Sequence, residues 1–118
     1  MKAHVTISLK TDGDFSLRKD SPNFERFGCK INYWPNTQEY DIYATFDVDK
    51  YNAQLREFLK TVLCEIHVNP GHYYLLKELY SFFVDAIDYA WYCDDYYESL
   101  GGNYSGTYID ITYQEEQA

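Results

Sequence analysis

Basic residues run out two-thirds of the way along this chain. No Lys or Arg follows Lys77, and the whole sequence of 118 residues holds 10 of them against 19 Asp and Glu, for a formal net charge of −9. That shortage argues against a nucleic-acid binder, whose affinity for phosphates comes mainly from Lys and Arg. It argues equally against docking on an anionic membrane surface. Cysteine is also scarce: Cys29, Cys64 and Cys93 are an odd number with no CxxC pair, which does not make a disulfide framework. Reduced, mostly buried thiols in a cytosolic protein are the expectation. No apolar run reaches the ~18–20 residues of a membrane span. The richest stretch, Leu75 to Trp91, is broken by Lys77, Glu78, Asp85 and Asp88. The first residues, Met1 to Val5, lack the apolar core of a secretory signal. A cytoplasmic protein is therefore expected.

What is present is an ordinary core and an unusual surface. Hydrophobic residues make up 46%, enough for one domain over 1–118. Aromatics reach 19%, with 14 tyrosines. Ala3, Val5, Ile7 and Leu9 alternate with His4, Thr6 and Ser8, the period of a half-buried strand. Residues 11–23 read as a loop in which Phe15 and Leu17 reach the core. Cys29 to Trp34 and Glu39 to Phe46 alternate again around the insert Pro35-Asn36-Thr37-Gln38, which predicts a hairpin.

The period then changes. Leu55, Phe58, Leu59, Val62, Leu63 and Ile66 make a helical stripe. Asp47 or Asp49 can cap its start, and Asn69-Pro70-Gly71 stops it. A second helix is expected from about His72 to Leu100, with a core stripe at Leu75/Leu76, Leu79, Phe82/Phe83, Ala86/Ile87 and Ala90. Gly101-Gly102 ends it, and a last strand follows at Thr107 to Tyr113. The order β-β-β-α-α-β predicts an α+β fold: a mainly antiparallel four-stranded sheet with two helices on one face.

The charge is lopsided. Residues 1–36 hold six basic and four acidic residues, whereas residues 37–118 hold four basic and 15 acidic. Glu78, Ser81, Asp85, Asp88, Tyr92 and Asp95 advance by threes and fours, so on one continuous helix they would form a ridge. Asp94, Glu98, Tyr89 and Tyr96 lie beside it. Carboxylates one or two turns apart are ~5–11 Å apart, in the range of phosphates on a nucleic-acid strand. Exposed Tyr beside them suits protein recognition. The expected partner-binding residues are Glu78, Asp85, Asp88, Tyr89, Tyr92, Asp94, Asp95, Tyr96 and Glu98.

Catalytic and metal chemistry find little support. Cys64, His67, His72 and Cys93 match no strong zinc spacing. Asp85 with Asp88, or Asp94-Asp95 with Glu98, could hold a hard cation, but paired carboxylates are common on helices. No GxSxG, Walker or GxGxxG motif occurs. The expectation is a non-enzymatic protein with no metal and no cofactor.

A small, acidic, Tyr-rich single domain with no catalytic motif resembles phage and mobile-element inhibitors of host defence, of the anti-CRISPR and anti-restriction kind. The resemblance lies in general character over the last two-thirds of the chain, and no motif carries it. It implies a DNA mimic in the host cytoplasm that inhibits a basic nucleic-acid-binding effector through its protein surface, without contacting nucleic acid or membrane. Two alternatives stand beside it. One is an immunity or antitoxin-type module, or another interaction protein. The other is a nucleotide-sequestering protein with phosphates held by Lys10, Arg18, Lys19, Arg26 and Lys30. Trp34 and Tyr43, on the polar side of the hairpin, leave an aromatic patch and so keep a homodimer open.

Overall fold

The computed structural model describes residues 2–11, 13, 15–47, 53–90, 95–100 and 106–114, with the backbone alone described for 90 and 95–100. Among these residues, seven strands and two α-helices follow one another as β1 (Lys2–Lys10), β2 (Phe15–Leu17), a 3-10 helix (Pro22–Phe27), β3 (Lys30–Trp34), β4 (Glu39–Asp47), α1 (Ala53–Cys64), β5 (Ile66–Val68), α2 (Tyr74–Ala90), β6 (Asp95–Leu100) and β7 (Thr107–Gln114). The class is α+β, as the change of period from two to 3.6 predicts.

Five strands form one antiparallel sheet in the order β3-β4-β1-β7-β6. The first strand of the chain is its centre. Its composition suits that placement: Ala3, Val5, Ile7 and Leu9 are all buried in one apolar row. Tyr40, Ile42, Ala44 and Phe46 of β4 and Ile109 and Ile111 of β7 extend the same face. The helices supply the opposing layer through Leu55, Phe58, Leu59 and Val62 of α1 and Leu75, Leu79, Phe82, Phe83, Ala86 and Ile87 of α2. α1 packs on β4 and the 3-10 helix, α2 packs on β6 and β7, and the helices pack on each other. Removing these large side chains from water is the main force holding the layers together. No described helix is long and apolar enough to cross a membrane.

Four details correct the reading from sequence. The sheet has a fifth strand, because α2 ends at Ala90 and residues 95–100 run as β6 rather than continuing the helix to Leu100. Tyr96 and Tyr97 favour a pleated ribbon over a helix once β7 offers an edge, since Tyr has high β-propensity and tertiary pairing overrides the helical preference of Glu98. The segment 11–23 is not plain loop: Phe15–Leu17 pairs antiparallel with Ile66–Val68, which also takes Ile66 out of the helical stripe. Phe15 and Leu17 are buried, as expected. Cys64 is exposed and Cys29 half-buried, so these thiols are less sheltered than the composition suggested. Of the two candidate caps, Asp47 instead closes β4 and pairs with Lys2 at 2.6 Å, and Asp49 lies outside the described residues.

The small β2–β5 pair carries a buried carboxylate. Glu65 is 6% exposed. It accepts a 2.7 Å hydrogen bond from Asn23 and faces the Arg18 guanidinium at 3.4 Å, which offsets the cost of its burial.

Candidate functional site

α2 presents the first candidate surface. Its apolar stripe faces the sheet, so by helical periodicity the residues between are turned to solvent. Glu78, Ser81, Asp85 and Asp88 are all exposed on that side. Tyr74, Tyr80 and Tyr89 keep 50%, 49% and 60% of their surface in water. Among the described residues, no ion pair joins a basic residue of the first third to this face. Lys2 pairs with Asp47, Arg18 with Glu65, Lys19 with Asp20 and Arg26 with Glu57. The compensation comes from α1, where Arg56 reaches Asp88 at 2.6 Å. Both partners are about half exposed, so this pair contributes only about 0.2–1 kcal/mol. Glu78 and Asp85 form no ion pair among the described residues.

The expected ridge is therefore shortened. Glu78, Asp85, Asp88 and Tyr89 share the helix. Asp95, Tyr96 and Glu98 belong to β6 and do not continue it; their register partners are Thr112, Ile111 and Ile109. Tyr92 and Asp94 lie outside the described residues. A ridge longer than the helix cannot exist, because the 3.6-residue period is lost where the chain turns into the strand.

Of the second surface the sequence marks only the aromatic pair Trp34 and Tyr43 on the polar side of the hairpin. The face of the sheet away from the helices is covered by no described element. Its rows follow from the register. Asp41, Ser8 and Tyr108 lie side by side; so do Tyr43, Thr6 and Asp110; so do Thr45, His4 and Thr112. His4 is fixed by hydrogen bonds between its ring nitrogens and Thr45 Oγ1 at 3.1 Å and Gln114 Oε1 at 3.0 Å. Ser8 is fully buried between its neighbours. Its Oγ lies near enough to Tyr108 to favour the phenolate, yet forms no hydrogen bond of standard geometry. Tyr108 is nonetheless pushed above the usual tyrosine value, first by burial and then by the negative charges of Asp41 and Glu39.

At one end of this face the β3–β4 hairpin forms an open cleft of about 380 Å³, lined by Trp34, Pro35, Asn36, Thr37, Glu39 and Asp41. The Trp34 indole N–H donates to Asp41 Oδ2 at 2.8 Å, and Trp34 is 52% exposed. The turn that closes the cleft holds Gln38 at φ 55°, a left-handed conformation that costs a non-glycine residue roughly 1–2 kcal/mol. Buried Thr11 secures it, donating both its N–H and its hydroxyl to the Gln38 carbonyl at 2.9 Å. The alternation of β3 and β4 already put Trp34, Asp41 and Tyr43 on one polar side. What would have exposed the cleft is the pairing of Trp34 with Glu39 across the turn.

Comparison of the chain with known protein families, with curated proteins and with solved structures finds no match. Function is therefore argued from these two surfaces.

Proposed function

We propose that the protein is a non-enzymatic binding module that docks through α2 onto a basic protein surface and inhibits a nucleic-acid-binding effector by occupying the place of its phosphates. One observation supports this reading most. Glu78 and Asp85 stand two turns apart on the exposed side of α2, about 10.5 Å along the axis. They have no ion pair among the described residues, and Tyr74 and Tyr89 on the same side of the helix are half exposed. Carboxylates at that spacing can meet successive cations on a phosphate-binding groove. Tyrosine adds flat contact area and a hydroxyl at little entropic cost. Asp88 contributes less, because Arg56 already holds it.

The test is a capture experiment with a built-in competitor. The immobilised protein is exposed to a cell lysate and eluted with duplex DNA, with RNA and with a salt gradient. A Glu78→Lys/Asp85→Lys variant runs in parallel. The expected result is a nucleic-acid-binding protein retained by the parent, released by nucleic acid and by moderate salt, and absent from the variant. Retention that ignores both the charge reversal and the nucleic acid would overturn the reading. Capture of a toxin, blocked without nucleic-acid competition, would replace it with the immunity-type alternative.

A further inference from the structure

The cleft at the end of the β3–β4 hairpin has the ingredients of a cation receptor, and the lysine paired with it across the strands, Lys10, is directed elsewhere. Glu39 and Asp41 are two residues apart on one strand, so their side chains leave the same face of the sheet ~7 Å apart. The cross-strand partner of Glu39 is Lys10, which would be its obvious counter-ion. Yet no ion pair joins them among the described residues. The Lys10 stem instead lies over Gly106: a Cβ at that glycine would stand 2.9 Å from Lys10 Cδ. Glycine at 106, with φ +99°, thus makes room for Lys10 to lean towards β7, away from the cleft.

The neighbours of Asp41 make its charge more conspicuous. One carboxylate oxygen accepts from the Trp34 indole, and the other, Oδ1, is buried with no hydrogen-bond partner. Its cross-strand neighbour is the fully buried Ser8, whose Oγ also borders Tyr108. Buried polar atoms are normally satisfied, and those that are not call for an explanation such as a missing ligand. The remaining wall is the half-exposed indole of Trp34, the aromatic ring best suited to attract a cation across its face.

We propose that this cleft binds the guanidinium group of an arginine side chain, stacked on Trp34 and held by Glu39 and Asp41. Arginine fits better than lysine for two reasons. Its planar group stacks on an indole, and its five N–H donors can serve two carboxylates at once, where an ammonium acts as a point charge. The site does not depend on the docking role of α2.

Trp34 and Trp91 are the only indoles in the chain, so a Trp91→Phe variant leaves one indole N–H signal, and that proton is the one shared with Asp41. The probe is N-acetyl-arginine N-methylamide, titrated at constant ionic strength against the lysine analogue and against potassium chloride. The expected result is a saturating shift of the Trp34 indole N–H with a dissociation constant in the millimolar range. The lysine analogue should bind more weakly and potassium chloride should give no saturation. Glu39→Gln should weaken arginine binding by roughly tenfold, equivalent to the loss of one charged contact. Glu78→Lys on α2 should leave it unchanged. Asp41→Asn should also weaken it. Because that change also alters the hydrogen bond to Trp34, Glu39→Gln, which touches no described hydrogen bond, keeps the test independent of any disturbance of the hairpin. A non-saturating response equal to that of potassium chloride, or one indifferent to Glu39→Gln, would overturn the proposal.

Discussion

Phe58 is the residue on which the junction of α1, β4 and the 3-10 helix depends. It is fully buried. Its ring lies 5.2 Å from Phe27 and 5.1 Å from Phe46, centroid to centroid, and those two rings meet edge-on at 6.1 Å. Truncating a buried Phe to Ala costs about 3–5 kcal/mol through lost transfer energy and the cavity left behind. A chain of this size is stable by about 6–18 kcal/mol, so Phe58→Ala should remove a large fraction of that margin. Phe58→Leu fills most of the space but loses both ring contacts, each contributing about 0.5–1.5 kcal/mol beyond its area, for about 1–3 kcal/mol in all. At about 3–6 °C per kcal/mol for this length, Tm should fall by about 10–30 °C for Ala and about 3–18 °C for Leu. Tyr89→Ala is the control: Tyr89 is 60% exposed, and its loss should stay within about 0.5 kcal/mol. Thermal melts followed by circular dichroism, with urea unfolding to confirm an unchanged m-value, give all three numbers. If Phe58→Ala melts within a few degrees of the parent, or no lower than Tyr89→Ala, the three-ring junction is not what binds α1 to the sheet.

Two further outcomes follow from groups away from α2. Tyr108 is held above the ordinary phenol value by burial and by Asp41 and Glu39, so the folded state prefers the protonated phenol. Its contribution to stability is full below the unfolded value near 10 and is lost as pH rises from there through the folded value. Carbon-13 NMR of the tyrosine ring Cζ, assigned with Tyr108→Phe, should show it titrating after the exposed tyrosines, and Asp41→Asn should move it down. Titration at or below the pH of the exposed set would contradict the placement of those carboxylates. Burial likewise raises the Cys29 thiol, while Cys64 is exposed. In a Cys93→Ser background a disulfide reagent at neutral pH should modify Cys64 first and Cys29 at least about tenfold more slowly. Equal rates would show that the 3-10 helix opens readily.

Which residues of β1, β4, α1 and α2 lie inside is legible from local pattern alone. Alternation in Ala3 to Leu9 and in Tyr40 to Phe46, and the three–four spacing from Leu55 to Val62 and from Leu75 to Ile87, depend only on the geometry of strand and helix. Those residues are buried as the patterns require. The exposure of Glu78, Asp85, Asp88 and Tyr89 follows from the same geometry, since they occupy the opposite side of α2. Other features needed the folded chain. Residues 95–100 became a strand because β7 lay open beside them; a segment's pairing partner is not encoded in its own period. Arg56 met Asp88 because two helices pack together across a separation of 32 residues in sequence. The Trp34–Glu39–Asp41 cleft needs β3 and β4 paired across a turn that Thr11, from a distant part of the chain, pins. Local periodicity assigns each residue to an inner or outer side, whereas the pairing of charges across elements is decided by long-range packing, which no short stretch of sequence contains.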